Sequence, residues 1–289
     1  MQKPPPVVLV HGFWHGSWCW SPVSEQLAAR GIPSTAIDLE GHGLRAAAPR
    51  SHAARPFDAA AFATEPSPVA DITAASAAAD LVERIRAIGA GRPCLVVAHS
   101  MGGVIATAAA ELAPELVAGI VYVAAFAPVA GAPAGFYNTC PENAGEKVNR
   151  LIAADPAAVG AVRIDTRDPA RRDELKETFY GDVDDRTADA AIALLRPDAP
   201  IGFPSAELTV TAGRYGGIPH AYVLCERDNV IPAALQRRII KEIDAVSDAP
   251  TTVTELDSSH SPFLSRPAAL AEAIAAALAE TGATEPAEG

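Results

Sequence analysis

The feature that most constrains the fold of this chain is a serine placed between two apolar runs of different periodicity. Residues 94–98 form a short apolar stretch that predicts a buried strand, and residues 104–112 carry apolar side chains at helical spacing. Ser100 stands between them with no room for a loop. A strand that turns directly into a helix needs a sharp, strained turn, which small flanking residues permit. Ala98 and Gly102 supply those small residues, two positions before and two after the serine.

Such a turn exposes the hydroxyl of Ser100 at the carboxyl end of its strand, where a nucleophile is useful. The strict pattern has glycine on both sides, and Ala98 departs from it by one methyl group. The alternative is that the serine only caps the helix that follows. Ser100 is therefore a candidate nucleophile, and its chemistry requires a base, an acid and oxyanion donors from elsewhere in the chain.

A second segment can supply the oxyanion donors. His11 and Gly12 follow an apolar run at 7–10 that predicts the first strand. A His-Gly pair lets the backbone turn sharply and direct the next amide toward a reacting carbonyl oxygen. The predicted oxyanion hole consists of the backbone N–H groups of Phe13 and Met101, the latter directly after the candidate nucleophile.

The acid is expected at the end of the predicted strand 220–225, which Glu226 and Asp228 follow closely. A carboxylate there can reach the imidazole of a catalytic histidine and hold its tautomer. Asp228 is preferred because Pro232 indicates the start of the next helix, which places Asp228 in the turn. Glu226 remains the alternative acid.

The predicted base is His260. It lies in a loop after the predicted strand 251–256 and before the last predicted helix, a position that none of the other histidines, seven in all, shares. A metal site formed by His11 and His15 is not favoured, because further carboxylate or cysteine ligands are missing nearby. The chain order is therefore nucleophile, acid, base, as Ser100, Asp228 and His260.

Strands and helices alternate along the chain. The predicted strands are 7–10, 33–37, 94–98, 117–123, 220–225 and 251–256. The predicted helices are 17–30, 71–89, 101–112, 232–246 and 267–280. The alternation predicts the α/β class, with a mainly parallel sheet of about six strands and helices on both faces. Because crossovers are right-handed, every candidate site residue falls at the carboxyl edge of the sheet.

Two segments interrupt this alternation. Residues 41–70 are rich in Ala and Pro and predict a long loop near the site, part of which (55–62) borders the substrate pocket. Residues 129–217 predict a cap inserted after the fourth strand, with short helical patterns at 142–153 and 187–195. A cap excludes water and supplies apolar walls. The predicted pocket residues are Gly12, Trp14, Phe126, Phe136, Tyr137, Phe179 and Phe263.

These segments define the predicted organisation: a core of residues 1–128 and 218–281, the cap, and a flexible tail at 282–289. The length of 289 residues suits one large domain. A net charge of −12 argues against nucleic acid and acidic membrane surfaces as partners. Four scattered cysteines predict buried thiols in a reducing compartment, and no signal peptide or long apolar run is recognised. The expectation is a cytoplasmic enzyme; a homodimer is left open.

Three motifs carry a resemblance to a known family. HGFWHGSWCW at 11–20, DLEGHG at 38–43 and AHSMGG at 98–103 resemble the plant methylesterase and hydroxynitrile lyase family of α/β-hydrolases. The segment from Asp228 to Gln236 resembles its acid-bearing motif, and the residues around His260 resemble its last motif. The Ala- and Pro-rich composition suggests a bacterial member. Residues 41–70 are longer than this family leads one to expect.

The resemblance implies an α/β-hydrolase fold, a Ser-His-Asp triad and no metal or organic cofactor. It also implies two chemistries. Lyase members carry a lysine after the catalytic histidine, and Thr or Asn within the His-Gly pair. This chain has Ser261 and the pair His11-Gly12 instead. Hydrolysis of a small or medium ester, lactone or thioester is therefore favoured. A lyase, cyclase or acyl transferase on the same triad, or a ligand sensor, is the alternative.

Overall fold

The computed structural model describes residues 4–282. Its strands are β1 (Val7–Val10), β2 (Ser34–Ile37), β3 (Cys94–His99), β4 (Val117–Val123), β5 (Ala161–Arg163), β6 (Asp198–Pro200), β7 (His220–Cys225) and β8 (Thr252–Leu256). Six of them form one sheet in the order β2-β1-β3-β4-β7-β8, and every neighbouring pair is parallel. The strand order reverses at β1, because β2 lies on one side of it and the later strands lie on the other. In a parallel sheet a ligand-binding crevice forms at such a reversal, here between β1 and β3.

The helices are α1 (Ser21–Ala29), α2 (Arg50–Ala53), α3 (Ala59–Thr64), α4 (Ala74–Gly89), α5 (Gly102–Leu112), α6 (Pro156–Val159), α7 (Arg172–Phe179), α8 (Asp185–Leu194), α9 (Ala233–Asp244), α10 (Pro262–Ser265) and α11 (Pro267–Gly282). Apolar side chains of α1 and α11 cover one face of the sheet, and those of α4, α5 and α9 cover the other. Because both faces are covered, the central strands are apolar without alternation. The predicted α/β-hydrolase fold is confirmed.

The segment from β4 to β7 differs from its prediction in detail. The helical pattern at 187–195 corresponds to α8, but 142–153 is not a helix. It contains two short 3₁₀ turns, Pro141–Asn143 and Asn149–Leu151. Gly145 lies between them with φ of +93°. A left-handed residue cannot continue a right-handed helix, so this helix prediction is wrong.

An antiparallel hairpin of β5 and β6, which the sequence pattern does not predict, lies in the same segment. Arg163 on β5 forms an ion pair of 2.7 Å with Asp198 on β6, and both side chains are fully buried. The Arg163 guanidinium also lies 5.1 Å from the ring centre of Phe62 and donates to the carbonyls of Phe62 and Glu65. Residues 41–70, which hold α2 and α3, are thereby fastened to the hairpin.

The predicted tail at 282–289 lies, apart from the last residue of α11, outside the described residues. Within residues 4–282, no helix has both the length and the hydropathy needed to cross a bilayer. All four cysteines are buried free thiols.

Candidate active site

Ser100 directly follows β3 and has a left-handed backbone with φ of +52°. Three hydrogen bonds hold it there: its N–H donates to Val123 O (3.2 Å), and its carbonyl accepts from the amides of Phe126 (3.1 Å) and Gly103 (3.0 Å). A left-handed conformation is costly for serine and persists only where the surroundings impose it. The strained strand–serine–helix turn predicted from the sequence is therefore present, at the carboxyl edge of the sheet.

Glycine is required on two sides of this turn by close backbone approach. A Cβ atom added to Gly12 would lie 2.6 Å from the Cβ of Ser100, and one added to Gly102 would lie 2.3 Å from the carbonyl oxygen of His11. Ala98, in contrast, lies within β3 opposite Val10 and is fully buried without breaking the strand pairing. The extra methyl group is accommodated because it sits in the packed core.

The predicted acid and base are in contact. His260 Nδ1 donates to Asp228 Oδ2 at 2.8 Å, and both side chains are almost completely buried. The other carboxylate oxygen of Asp228 accepts from the amides of Val230 (2.6 Å) and Ile231 (3.0 Å). Glu226, the alternative acid, is exposed. With Nδ1–H held by Asp228, the Nε2 lone pair of His260 is left to act as a base.

Gln236, on α9, fixes the loop that bears Asp228, called the acid loop below. The sequence pattern predicts no role for Gln236 beyond its place in a motif. Its amide is fully buried; Oε1 accepts from the N–H of Cys225 (3.0 Å), and Nε2 donates to the carbonyls of Cys225 (3.0 Å) and Ile231 (2.7 Å). Nε2 also lies 3.4 Å from Asp228 Oδ2. The signal that the sequence offers is a glutamine one turn into the helix that follows an acid-bearing loop.

His99 holds the backbone of the loop that bears His260. Its ring is completely buried, and Nε2 donates to the backbone carbonyl of His260 at 2.8 Å. The two ring centres are 4.5 Å apart. Burial lowers the pKa of His99 well below its ordinary value, so the ring stays neutral. The residue next to the candidate nucleophile therefore positions the backbone of the candidate base.

The predicted oxyanion donors are free. Within residues 4–282, the amides of Phe13 and Met101 donate to no acceptor. The Phe13 carbonyl is held by His15 Nδ1–H (2.7 Å), whose Nε2 accepts from the hydroxyl of Tyr180 (2.8 Å). Burial lowers the pKa of His15 to about 3, which keeps this tautomer neutral. Two fixed, unpaired amides beside a strained serine suit a developing oxyanion.

His11 orders the base of the same loop. Its Nε2 accepts from the amide of Leu39 (3.1 Å), and its Nδ1 donates to the carbonyl of Gly12 (2.8 Å). Burial lowers its pKa to about 3. Both ring nitrogens of His11 and of His15 are thus engaged in hydrogen bonds, which leaves neither ring a nitrogen for a metal ion.

A cavity of about 230 Å³ opens above the serine. Its lining includes the buried residues Ser100, Phe13, Met101, Trp14 and Phe126. The remaining lining residues come mostly from the 129–217 segment: Ala134, Gly135, Asn138, Glu146, Val148, Asn149, Ile152, Pro156, Val162, Ile201, Pro204, Ser205 and, from the acid loop, Val230. The sequence predicted two of these side chains, Trp14 and Phe126, and missed the irregular loop residues, which have no periodicity to reveal them.

Five residues predicted to line the pocket do not line it: Gly12, Phe136, Tyr137, Phe179 and Phe263. Gly12 instead packs against the nucleophile, as described above. Phe136 is 45% exposed and lies beneath the guanidinium of Arg238. The Tyr137 ring is buried and its hydroxyl donates to Glu242. These side chains fasten the 129–217 segment to α9.

The other two aromatic rings fill the core. Phe179 is buried against Trp14 and His15, and Phe263 is buried against Trp20 and His99. The prediction for 55–62 is also wrong: none of residues 41–70, all of which the structure describes, lines the cavity. The hairpin of β5 and β6 lies between that segment and the cavity lining, since Arg163 holds Phe62 on one side and Val162 lines the cavity on the other.

Comparisons with known proteins agree with this geometry. The model of the alpha/beta hydrolase family matches residues 7–273. A pyrethroid hydrolase of Sphingobium wenxiniae is 31% identical over 93% of this chain and 86% of its own length. Methylesterase 7 of Arabidopsis thaliana is 27% identical over 90% of this chain and 91% of its own. The crystal structure of a pyrethroid hydrolase from Sphingobium faniae JZ-2 superposes with a TM-score of 0.75 at 24% identity, covering 96% of this chain and 98% of that one. This chain belongs to the alpha/beta hydrolase family.

Proposed function

We propose that this protein hydrolyses carboxylic esters through an acyl-enzyme intermediate on Ser100. The observation that carries the proposal is the buried 2.8 Å bond from His260 to Asp228, at the same sheet edge as a strained serine and two unpaired amides. The relatives named pyrethroid hydrolase and methylesterase support it, because they match over most of this chain.

In the first half-reaction, Nε2 of His260 takes the proton of Ser100 while Oγ attacks the acyl carbon of the ester. The carbonyl oxygen becomes an oxyanion, and the Phe13 and Met101 amides donate to it. Asp228 stabilises the imidazolium that forms. His260 then returns the proton to the leaving alcohol as its C–O bond breaks, which leaves the acyl group on Ser100.

In the second half-reaction, water repeats the attack. His260 takes a proton from the water, the hydroxide oxygen bonds to the acyl carbon, and the bond to Ser100 Oγ breaks as the proton returns to that oxygen. The products are a carboxylic acid and the free enzyme. Every proton and electron pair is accounted for by the three side chains, so the reaction needs no metal or organic cofactor.

The walls of the cavity indicate the substrate class. Most lining side chains are apolar, and a volume of about 230 Å³ suits a small or medium ester, lactone or thioester. In this proposal the 129–217 segment serves as the cap that excludes water. The charge of −12 argues against nucleic acid and acidic membrane surfaces as partners, and the four free buried cysteines favour a cytoplasmic setting. The Ala- and Pro-rich composition favours a bacterial source.

The test is hydrolysis of p-nitrophenyl esters of increasing acyl length by the wild type and by Ser100→Ala. We expect a loss in kcat on the order of 10⁴-fold or more, since removal of a triad nucleophile leaves only binding and oxyanion stabilisation. Ser205→Ala is the matched control, because Ser205 also lines the cavity. Equal rates for the wild type and Ser100→Ala, or a folded wild type without any ester turnover, would overturn the proposal. Addition of a competing alcohol separates hydrolysis from acyl transfer.

A further inference from the structure

One lining residue of the cavity carries a charge. Among the side chains that line it, all within the described part of the chain, Glu146 is ionisable and the rest are neutral. Asn138 and Asn149 are exposed and Glu146 is half-buried, whereas Phe13 and Ser100 are buried. Glu146 therefore lies on a part of the cavity wall that is more accessible to solvent than Ser100 is.

The position of this carboxylate is fixed. Glu146 Oε2 accepts from the amides of Val148 (2.7 Å) and Asn149 (3.2 Å), which orients the side chain. The adjacent amide of Lys147 donates to the carbonyl of Asn229 in the acid loop at 2.8 Å. Glu146 is thus held in a constant relation to the loop that bears Asp228.

The negative charge is not neutralised by a neighbouring cation. The two nearest basic residues in the sequence, Lys147 and Arg150, both pair with Glu177. Within residues 4–282, Glu146 forms no ion pair, and its Oε1 atom accepts no hydrogen bond. An oriented carboxylate with one free oxygen on the wall of an otherwise neutral cavity creates a local negative potential.

We propose that Glu146 makes this site select its esters by charge. It favours esters with a cationic group at the end remote from the reacting carbonyl, and it disfavours esters with an anionic group there. This inference rests on the proposed esterase function. The potential acts on the remote end of the substrate because the reacting end lies at Ser100.

The experiment uses three methyl esters of comparable length. Methyl 4-(trimethylammonio)butanoate is cationic, methyl 5,5-dimethylhexanoate is its neutral isostere, and monomethyl adipate is anionic. Choline butyrate and 3,3-dimethylbutyl butyrate form a second pair, with the charge on the alcohol side. For each, kcat/KM is measured with the wild type, Glu146→Gln and Glu25→Gln. Glu25 lies exposed on α1 and does not line the cavity, so its variant matches the change in net charge.

Glu146→Gln retains an oxygen acceptor for the two amides and removes only the charge. We expect the cationic-to-neutral ratio of kcat/KM to fall roughly threefold to tenfold in Glu146→Gln, as for one charge pair at a partly solvated distance of a few ångströms. The anionic-to-neutral ratio should rise by a similar factor. Both ratios should stay at their wild-type values in Glu25→Gln. In the wild type, added salt should reduce the discrimination, because Glu146 is partly exposed to solvent.

The outcomes separate the two proposals. If the neutral ester is hydrolysed in a manner that depends on Ser100 but both ratios are unchanged in Glu146→Gln, charge selection is overturned and the esterase function stands. An equal shift of the ratios in Glu25→Gln also overturns it, because the effect would then come from net charge alone. If no ester shows turnover dependent on Ser100, both proposals fall.

Discussion

Two buried pairs of polar side chains differ in their surroundings in this molecule. Asp228 and His260 meet at the carboxyl edge of the main sheet, and Arg163 and Asp198 meet in the β5–β6 hairpin. All four side chains are at most 2% exposed. Burial alone therefore does not distinguish the proposed catalytic pair from the pair that holds structure.

The difference lies in what surrounds each pair. Arg163 donates to both oxygens of Asp198 and to two backbone carbonyls. The two charges therefore compensate each other, and no group of this pair is left to react. Asp228 receives two backbone amides, whereas His260 gives it one ring N–H and retains a second nitrogen. The first arrangement is saturated, and the second leaves a reactive atom. An unsatisfied group within an ordered network is the better indication of a catalytic site.

The largest effect is expected from Asp228→Asn. An amide can present N–H to the imidazole and favour the wrong tautomer, so kcat should fall on the order of 10⁴-fold, with a much smaller effect on stability. Steady-state kinetics together with urea unfolding measure both quantities. Glu226→Gln is the control; if it lost more activity than Asp228→Asn, the assignment of the acid would be reversed.

Arg163→Met should show the opposite pattern. It leaves the Asp198 carboxylate buried without its partner, and the free energy of unfolding should fall by about 3–5 kcal/mol. The double variant Arg163→Met/Asp198→Leu should recover most of that loss, since neither charge then remains. Urea unfolding of both variants provides the measurement. The contrast between the two pairs would break down if Arg163→Met kept full stability but lost its esterase activity.

A smaller effect on the free energy of unfolding is expected when the pH falls. Burial lowers the pKa of His11 and of His15 from 6.5 to about 3. The unfolded chain binds these protons as the pH falls through 6.5 and the folded protein does not, so the stabilisation is complete above 6.5 and decreases toward 3. Each ring should cost about 2 kcal/mol of stability between pH 7 and pH 5.

Urea unfolding at the two pH values measures the total acid effect, to which four other histidines whose pKa values burial also lowers contribute: His42, His52, His99 and His220. NMR titration of the ring carbons separates the individual rings and supplies the control. Both rings should stay neutral in the folded protein at pH 5. A ring that titrates near its ordinary value in the folded protein would contradict the burial argument for that histidine.

The predictable parts of this protein share a physical origin. The main strands and long helices follow from apolar periodicity, which is a local property of the chain. Ser100, Asp228 and His260 follow from their positions after strands, because parallel strands bring their carboxyl ends to one edge. The corresponding failures occur where periodicity ends. Residues 142–153 have a helical pattern, but the left-handed Gly145 interrupts the helix. Residues 55–62 were predicted to border the pocket, but the hairpin of β5 and β6 separates them from it.

The contacts that support the site could not be predicted from the sequence, for a different reason. Gln236 donates to the carbonyl of Cys225, eleven residues earlier, and His99 donates to a carbonyl 161 residues later. Neither partner is marked by residue type or spacing, because a backbone carbonyl has the same chemistry everywhere in the chain.

The sequence by itself determined the α/β-hydrolase fold, the order of the strands along the chain and the candidate nucleophile and base. Strand and helix periodicity and strand-end motifs are local properties of the chain. Only the tertiary structure decided which acid reaches His260, which side chains line the cavity and that Glu146 lies there without a cation. Those outcomes depend on contacts between segments far apart in the chain, and packing geometry rather than local preference selects among the alternatives.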